Sequence, residues 1–206
     1  MTGTKAIALE AWARRTGRAY LRFDYLGHGQ SSGRFEDGTI GRWLDDSLAA
    51  VDSLTSGKLV LVGSSMGGYL ASLYAARHPE VQKLVLLAPA FGFQNRWPAM
   101  LGPEKFQAWE RTGELEVFHY GDKVQRSVGW QLAEDARKWD PIPHVTQPTL
   151  LFHGTNDLTV PIAGSEAYAA THPNVTMEAF DAGHELTEVI DEMWERTAIF
   201  LGIGRE

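Results

Sequence analysis

Residues 63–67 read Gly-Ser-Ser-Met-Gly and place Ser65 between two glycines in the pattern Gly-X-Ser-X-Gly. An apolar run, Lys58–Gly63, leads into them, and the helical pattern of Tyr69–His78 follows. A serine in a strained turn between a strand and a helix exposes its Oγ, and the helix N-terminus favours the negative charge that develops when this oxygen attacks. The pattern predicts that Ser65 is a nucleophile. A turn that only caps a helix has a similar local sequence.

A serine nucleophile needs a histidine to remove its proton and an acid to orient that histidine. Two polar segments supply candidates: residues 153–157, His-Gly-Thr-Asn-Asp, follow the apolar run that ends at Phe152, and residues 181–184, Asp-Ala-Gly-His, follow the run that ends at Phe180. We predict His184 as the general base and Asp157 as the orienting acid.

Three other polar residues are further candidates: Asp181, His153 and His28. Asp181 is a second candidate acid, but it lies only three residues before His184 and is expected to stabilise the loop. His153 is expected to be structural, with a catalytic role as the alternative, and His28 is expected to shape a glycine-rich loop or line the rim of a crevice. For His184 itself, the alternative from composition alone is a histidine in a surface loop without a catalytic role.

The elements that would position these residues follow from the apolar periodicity. Helices are predicted over Thr4–Thr16, Thr39–Ser56, Tyr69–His78, Ile162–Thr171 and Leu186–Leu201, and strands over Ala19–Asp24, Lys58–Gly63, Lys83–Leu87, Pro148–Phe152 and Val175–Phe180. Strands that alternate with helices indicate an α/β fold with a parallel sheet. The carboxyl ends of parallel strands share one edge, so Ser65, Asp157 and His184 are expected to meet there.

Residues 91–144 are rich in Trp, Phe, Pro and charge, without clean strand patterns. We predict a helical cap inserted into a single domain of residues 1–206. Its apolar side chains indicate either a pocket for an apolar acyl group or simply the small core that a cap needs. These side chains are Phe91, Phe93, Trp97, Pro98, Met100, Leu101, Phe106 and Trp109.

Composition excludes several classes of protein. The 206 residues contain no cysteine, which excludes a disulfide framework, a Cys-ligated metal site and a thiol nucleophile. The formal net charge is −7, and no clustered basic surface suits nucleic acid. No apolar run approaches the ~18–20 residues of a membrane-spanning helix, and the N-terminus lacks a secretory signal pattern. We therefore expect no nucleic-acid partner, no membrane span, no cofactor or metal, and a cytoplasmic location.

The elbow around Ser65 and the order Ser, Asp, His along the chain resemble the α/β-hydrolase superfamily. Residues 1–6 (Met-Thr-Gly-Thr-Lys-Ala), Arg22–Tyr25, Gly41–Trp43 and Val62–Tyr69 resemble, more narrowly, the abhydrolase-domain 10 group. That group comprises palmitoyl-protein thioesterases that also hydrolyse acyl glucuronides. The resemblance implies the α/β-hydrolase fold, a mostly parallel sheet with helices on both faces and a small cap.

The oxyanion of an acyl-transfer reaction needs at least two preorganised N–H donors, and the backbone of Met66, the residue after the nucleophile, would supply one. The resemblance implies that the second comes from the loop after a third strand, which lies between the strands matched by Ala19–Asp24 and Lys58–Gly63. We expect the N-terminal strands, that one included, to be absent from this chain. Met1 is accordingly expected to be an internal methionine of a longer protein or a wrongly assigned start.

These observations together predict a serine hydrolase that cleaves carboxylic esters or acyl thioesters through an acyl-enzyme on Ser65, acting on a small-molecule or acylated substrate with an apolar acyl group. Within the enzyme class, a peptidase or a lipase is an alternative. Outside it, the alternative is a non-catalytic or poorly folded remnant of a hydrolase that keeps the three residues but lacks half of the oxyanion hole.

Overall fold

A computed structural model of the chain describes residues 2–119 and 124–203. The helices and strands, in chain order, are α1 Thr4–Arg15, α2 Ile40–Leu54, β1 Leu59–Ser64, α3 Met66–Ala75, β2 Val81–Leu87, α4 Phe93–Leu101, α5 Pro103–Thr112, β3 Glu114–His119, β4 Val124–Gly129, α6 Trp130–Ala136, β5 Thr149–Gly154, α7 Ile162–Thr171, β6 Val175–Phe180 and α8 Ile190–Leu201. Short 3₁₀ turns occupy Phe35–Asp37 and Thr187–Val189.

Contacts divide the chain into two compact units. The sheet unit consists of Thr4–Leu21, Ser56–Phe91 and the chain from Ile142 onward, and the hairpin unit consists mainly of Arg22–Thr55 and Gly92–Pro141. None of the helices in the described part of the chain is both long and apolar enough to cross a membrane.

The sheet unit is built on four parallel strands in the order β1-β2-β5-β6. Strand β5 is buried along its whole length and β2 along most of its length, which explains the apolar runs Leu84–Leu87 and Leu150–Phe152 within them. On one face, side chains of β2 and β5 join a core with residues of α1 and α8; this core includes Leu9, Trp12, Val85, Leu87, Leu150, Phe152, Met193 and Trp194. The alternate residues Leu84, Leu86 and Leu151 are also fully buried and lie on the opposite face.

The hairpin unit contains α2, α4, α5 and α6 together with the antiparallel pair β3–β4. Its centre is a cluster of indole rings, in which Trp109 meets both Trp97 and Trp130 edge to face at centroid distances of 5.1 and 5.2 Å. The buried Trp109 Nε1–H donates to the carbonyl of Val128 at 3.0 Å and so ties α5 to β4. Aromatic residues of the predicted cap therefore form a core of their own.

The fold confirms the prediction of a parallel α/β architecture, and α7 and β6 have the predicted bounds. Two local predictions are wrong. Ala19–Asp24 joins neither sheet of the described chain. A segment with β-propensity forms a strand only when a neighbouring strand is present to pair with it. Strands β3 and β4 pair antiparallel within the stretch expected to be helical, and their ladder pairs Glu114 with Gly129. Among the described residues, β1 is an edge strand that pairs with β2 alone.

Candidate active site

Ser65 lies in the sharp turn between β1 and α3. Its φ of 54° is positive, a region that costs a residue with a side chain about 1–3 kcal/mol unless the surroundings hold it. The surroundings do so here: the Ser65 N–H donates to the carbonyl of Leu87 at 2.9 Å, and its carbonyl accepts from the N–H groups of Gly68 and Ala90 at 3.0 Å each. The end of β2 therefore holds the strained turn in place.

The two glycines of the Gly-X-Ser-X-Gly pattern have different surroundings. A Cβ at Gly63 would lie 2.4 Å from the Gly67 carbonyl oxygen and 2.7 Å from the Cα of Gly68, which is closer than real side chains approach. A Cβ at Gly67 would meet no atom within 4 Å. The close approach of strand and helix thus requires the first glycine of the pattern, whereas the second is not needed for packing within the protein.

Met66 is the first residue of α3. The N–H groups of the first helical turn have no acceptor within the helix, and the helix dipole adds partial positive charge at that end. The Met66 N–H, adjacent to Ser65, therefore has the chemistry of an oxyanion donor.

His184 lies in the loop after β6, and its ring contacts the other two predicted residues. Its Nε2 lies 3.1 Å from Ser65 Oγ, and its Nδ1 lies 2.7 Å from Asp157 Oδ2. Two residues later, Leu186 is fully buried with a positive φ of 52°, so the loop is anchored in the core in a conformation that packing must maintain. The structure thus brings Ser65, His184 and Asp157 into one hydrogen-bonded chain although they are distant in sequence.

Gly154, at the end of β5, allows the histidine loop to pass close by. A Cβ there would lie 2.3 Å from the carbonyl oxygen of Ala182 and 2.5 Å from that of Gly183. The neighbouring backbone uses this proximity, since the N–H of Asn156 donates to the Ala182 carbonyl at 3.0 Å. The loops that carry Asp157 and His184 are therefore joined directly.

The carboxylate of Asp157 is buried and accepts hydrogen bonds at both oxygens. Oδ1 accepts from the N–H groups of Thr159 and Val160, each at 2.8 Å, and Oδ2 accepts from His184. Burial by itself raises the pKa of Asp157, but the hydrogen bonds from His184, Val160 and Thr159 outweigh it and hold this pKa below its ordinary value. The side chain therefore stays a carboxylate at neutral pH.

The sequence did not lead us to predict the turn in which Asp157 Oδ1 accepts the N–H groups of Thr159 and Val160. A signal was present, because an aspartate followed by loop residues commonly accepts the N–H two residues on. Two other contacts had no comparable local signal: the one between the Val160 N–H and Asp157, and the buried one between His153 Nδ1 and Ser165 Oγ at 2.8 Å.

The remaining candidates take other positions. Asp181 accepts a hydrogen bond from Asn156 Nδ2 at 2.7 Å and so links the two loops, as expected of a loop-stabilising residue. His28 lies in the hairpin unit, where its Nδ1 is 3.0 Å from the Leu26 carbonyl and its ring packs on Trp43. His153 is completely buried in β5.

The apolar residues of the predicted cap also separate into groups. Phe93 and Trp109 are buried, whereas Met100 is largely exposed. Trp97, Pro98 and Phe106 help to line a cavity of about 400 Å³ within the hairpin unit, whose walls also include the polar side chains of Gln94, Asn95 and Arg137. The buried aromatic residues fit the prediction that this segment forms a small core of its own. Among the described residues, no cluster of three histidine or acidic side chains is arranged to hold a metal ion.

Comparison with known proteins places this geometry in a family. Residues 6–198 match the sequence pattern of the Alpha/beta hydrolase family. The chain belongs to this family. Its parallel sheet and the helices between the strands agree with that membership.

Individual relatives are more specific. The chain is 36% identical over 167 residues to the protein named Palmitoyl-protein thioesterase ABHD10, mitochondrial, of Bos taurus, an alignment that covers 78% of this chain and 54% of the relative. The chain spans about half the length of the curated relatives it matches. A solved structure of mouse alpha/beta hydrolase domain-containing protein 10 aligns with a TM-score of 0.85 at 27% identity, covering 99% of this chain and 86% of that one. A crystal structure from Agrobacterium vitis S4 aligns with a TM-score of 0.87 at 32% identity, covering 97% and 83%.

The relatives correct one expectation. The sequence led us to expect a cytoplasmic location, and this is wrong: the bovine, mouse and human relatives are all named as mitochondrial proteins. The expectation rested on the absence of a targeting pattern at the start of the chain, which is weak evidence about location.

Proposed function

We propose that this protein is a serine hydrolase that cleaves carboxylic esters or acyl thioesters through an acyl-enzyme on Ser65. The observation that carries the proposal is the chain of contacts from Ser65 Oγ to His184 Nε2 at 3.1 Å and from His184 Nδ1 to Asp157 at 2.7 Å. The connection of a serine to an imidazole, and of that imidazole to a buried carboxylate, is the arrangement that activates a hydroxyl.

In the first half of the reaction, Ser65 Oγ attacks the carbonyl carbon of the substrate while His184 Nε2 takes the hydroxyl proton. Asp157 holds the Nδ1–H of His184 and stabilises the imidazolium that forms. The carbonyl oxygen becomes an oxyanion, which accepts a hydrogen bond from the Met66 N–H. The intermediate collapses, the bond to the leaving alkoxide or thiolate breaks, and His184 returns the proton to that group.

In the second half, a water molecule attacks the acyl-Ser65 carbonyl and gives its proton to His184. Collapse of the second tetrahedral intermediate breaks the bond to Ser65 Oγ, which takes the proton back from His184 and releases the carboxylic acid. Every step uses side chains and backbone groups of the sheet unit.

For the substrate, we propose an acylated thiol or alcohol with an apolar acyl group. One observation supports this: the relatives are named palmitoyl-protein thioesterases. No observation favours a peptide or a lipid substrate over this class.

The direct test is labelling with a fluorophosphonate, which reacts with activated serines, followed by intact-mass detection and peptide mapping. We expect stoichiometric labelling of the wild type at Ser65 and none of Ser65→Ala. Ser72→Ala removes another buried serine, in α3, and should label like the wild type. Hydrolysis of a palmitoylated peptide thioester and of p-nitrophenyl esters of increasing acyl length then defines the substrate. A folded wild type that stays unlabelled would establish the non-catalytic alternative instead.

A further inference from the structure

His153 is a completely buried polar side chain in a strand that is otherwise largely apolar. It lies in β5, four residues before Asp157, and none of its surface is accessible to solvent. Its Nδ1 lies 2.8 Å from Ser165 Oγ in α7, and its Nε2 lies 2.9 Å from the carbonyl oxygen of Val160. Both ring nitrogens are therefore satisfied by partners from different elements.

These partners determine where the ring carries its proton. A carbonyl oxygen only accepts hydrogen bonds, so Nε2 must be the protonated nitrogen that donates to Val160. The unprotonated Nδ1 then accepts the hydroxyl hydrogen of Ser165. With one contact on each side, the imidazole cannot turn without losing a buried hydrogen bond, which typically costs about 1–3 kcal/mol.

The Nε2 edge of His153 meets the acid at two points. Val160, whose carbonyl accepts from His153, donates its own N–H to Asp157 Oδ1 at 2.8 Å. The His153 Nε2 atom also lies 3.3 Å from Asp157 Oδ2, the oxygen that binds His184. A donor nitrogen beside this oxygen favours the carboxylate form and limits the positions that the carboxylate can take.

We propose that His153 is a positioning residue. It holds the Asp157 carboxylate in its contact with His184, both through Val160 and through its own Nε2. The inference rests on the proposed function and deepens it, because it names the group that keeps the acid in place. His153 does not touch the substrate; it acts through Asp157. Ser165 has the supporting role of holding the ring at Nδ1.

The test compares three variants with the wild type. His153→Leu removes both ring contacts. His153→Gln restores a donor three bonds from Cβ, the same separation as His Nε2. His172→Leu removes another buried histidine of the sheet unit, which binds the Tyr168 carbonyl and has no part in the contacts described above. Two quantities are measured at neutral pH: the rate constant of fluorophosphonate labelling and the low-field NMR resonance of the His184 Nδ1–H that is hydrogen-bonded to Asp157.

We expect His153→Leu to slow labelling by about 10–100-fold, the range that a small misplacement of reacting groups produces, and to shift or broaden the His184 resonance. His153→Gln should recover most of the rate, and His172→Leu should label like the wild type. A purely structural histidine would change the melting temperature without these effects. Wild-type labelling rates in a cooperatively melting His153→Leu would overturn the proposal.

Two further outcomes remain decisive. If the wild type itself is not labelled, the proposed function has failed, and the His184 resonance alone then decides whether His153 positions the acid. If His153→Leu does not fold, Ser165→Ala takes its place, because this variant releases the ring at Nδ1 and keeps the donor at Nε2. We expect Ser165→Ala to label several-fold more slowly than the wild type, and an unchanged rate would overturn the proposal.

Discussion

Asp157 Oδ2 lies 2.7 Å from His184 Nδ1, whereas Asp181, which lies closer to His184 in sequence, binds Asn156 instead. The contacts that the two aspartates make, and not their distance from His184 along the chain, therefore distinguish them. The acid at the end of β5 reaches the histidine at the end of β6 because these strands are parallel neighbours.

Replacing Asp157 by Asn should reduce the rate of fluorophosphonate labelling by about 10³–10⁴-fold. The amide oxygen can still accept from the N–H groups of Thr159 and Val160, so the amide NH₂ would face His184 Nδ1. His184 Nδ1 must then accept a hydrogen bond from the amide, which leaves the ring proton on Nε2. In this tautomer Nε2 cannot take the proton of Ser65. Labelling kinetics measure the effect. Asp181→Asn is the matched control and should label within about twofold of the wild type, and an equal loss in both variants would argue against Asp157 as the orienting acid.

The stability of the protein should depend on the charge of Asp157 at acidic pH. Because the pKa of this carboxyl is lowered in the folded state, its contribution is present above the ordinary value of about 3.9 and is lost as pH falls through the lower folded value. The difference in free energy of unfolding between wild type and Asp157→Asn should therefore narrow as pH falls from about 6 to 2.

Urea unfolding across this pH range checks the dependence on Asp157. Asp52→Asn, an exposed position on α2, accounts for the general effect of removing one negative charge. A difference between wild type and Asp157→Asn that stays constant with pH would contradict the prediction.

The two glycines that flank Ser65 in the pattern Gly-X-Ser-X-Gly should respond differently to alanine. Gly63→Ala brings a methyl group against the backbone of Gly67 and Gly68, and overpacking of this kind costs about 1–3 kcal/mol. Gly67→Ala meets open space within α3, and alanine is favoured over glycine in a helix by about 0.5–1 kcal/mol. Thermal unfolding of both variants should show a lower melting temperature for the first and an equal or higher one for the second. Equal destabilisation would show that the strand and helix do not approach as closely as described.

Asp135 should stabilise the start of α2 from a distant part of the hairpin unit. Its Oδ2 accepts from the Gly41 N–H at 2.7 Å and from Trp139 Nε1 at 3.1 Å. Burial raises the pKa of Asp135, but hydrogen bonds from Gly41, Trp139 and Lys138 outweigh this effect and hold the pKa below its ordinary value. We expect Asp135→Ala to lower the free energy of unfolding by about 1–3 kcal/mol, because a partly buried N–H at a helix start loses its acceptor.

Urea unfolding measures this effect, with Lys138→Ala as the control. Lys138 is largely exposed and contacts the same carboxylate at 3.3 Å, so its removal should cost less than about 1 kcal/mol. If both variants lose the same stability, the surface ion pair and not the helix contact is the important interaction of Asp135.

Much of the fold and of the candidate site follows from local sequence. Helix α7 and strand β6 have the predicted bounds, because the periodicity of apolar residues reports which side chains face a core. The strand-to-helix turn at Ser65 was recognisable from two glycines and a serine. The candidates Asp157 and His184 were recognisable because each follows an apolar strand.

Other features had no local signal. Ala19–Asp24 has the composition of a strand and joins neither sheet of the described chain, while β3 and β4 pair inside a segment that resembled a helical cap. Strand formation depends on a partner that supplies the other half of each backbone hydrogen bond, and no property of a single segment specifies that partner.

The sequence by itself determined which residues could do chemistry and that a parallel sheet would carry them to one edge. Only the tertiary structure decided that Asp157 and not Asp181 meets His184, that Gly63 and not Gly67 is required for packing, and that His153 is held between Ser165 and Val160 beside the acid. The physical reason is range: side-chain type and apolar period are local, whereas hydrogen-bond geometry and close packing depend on atoms from several elements that only folding brings together.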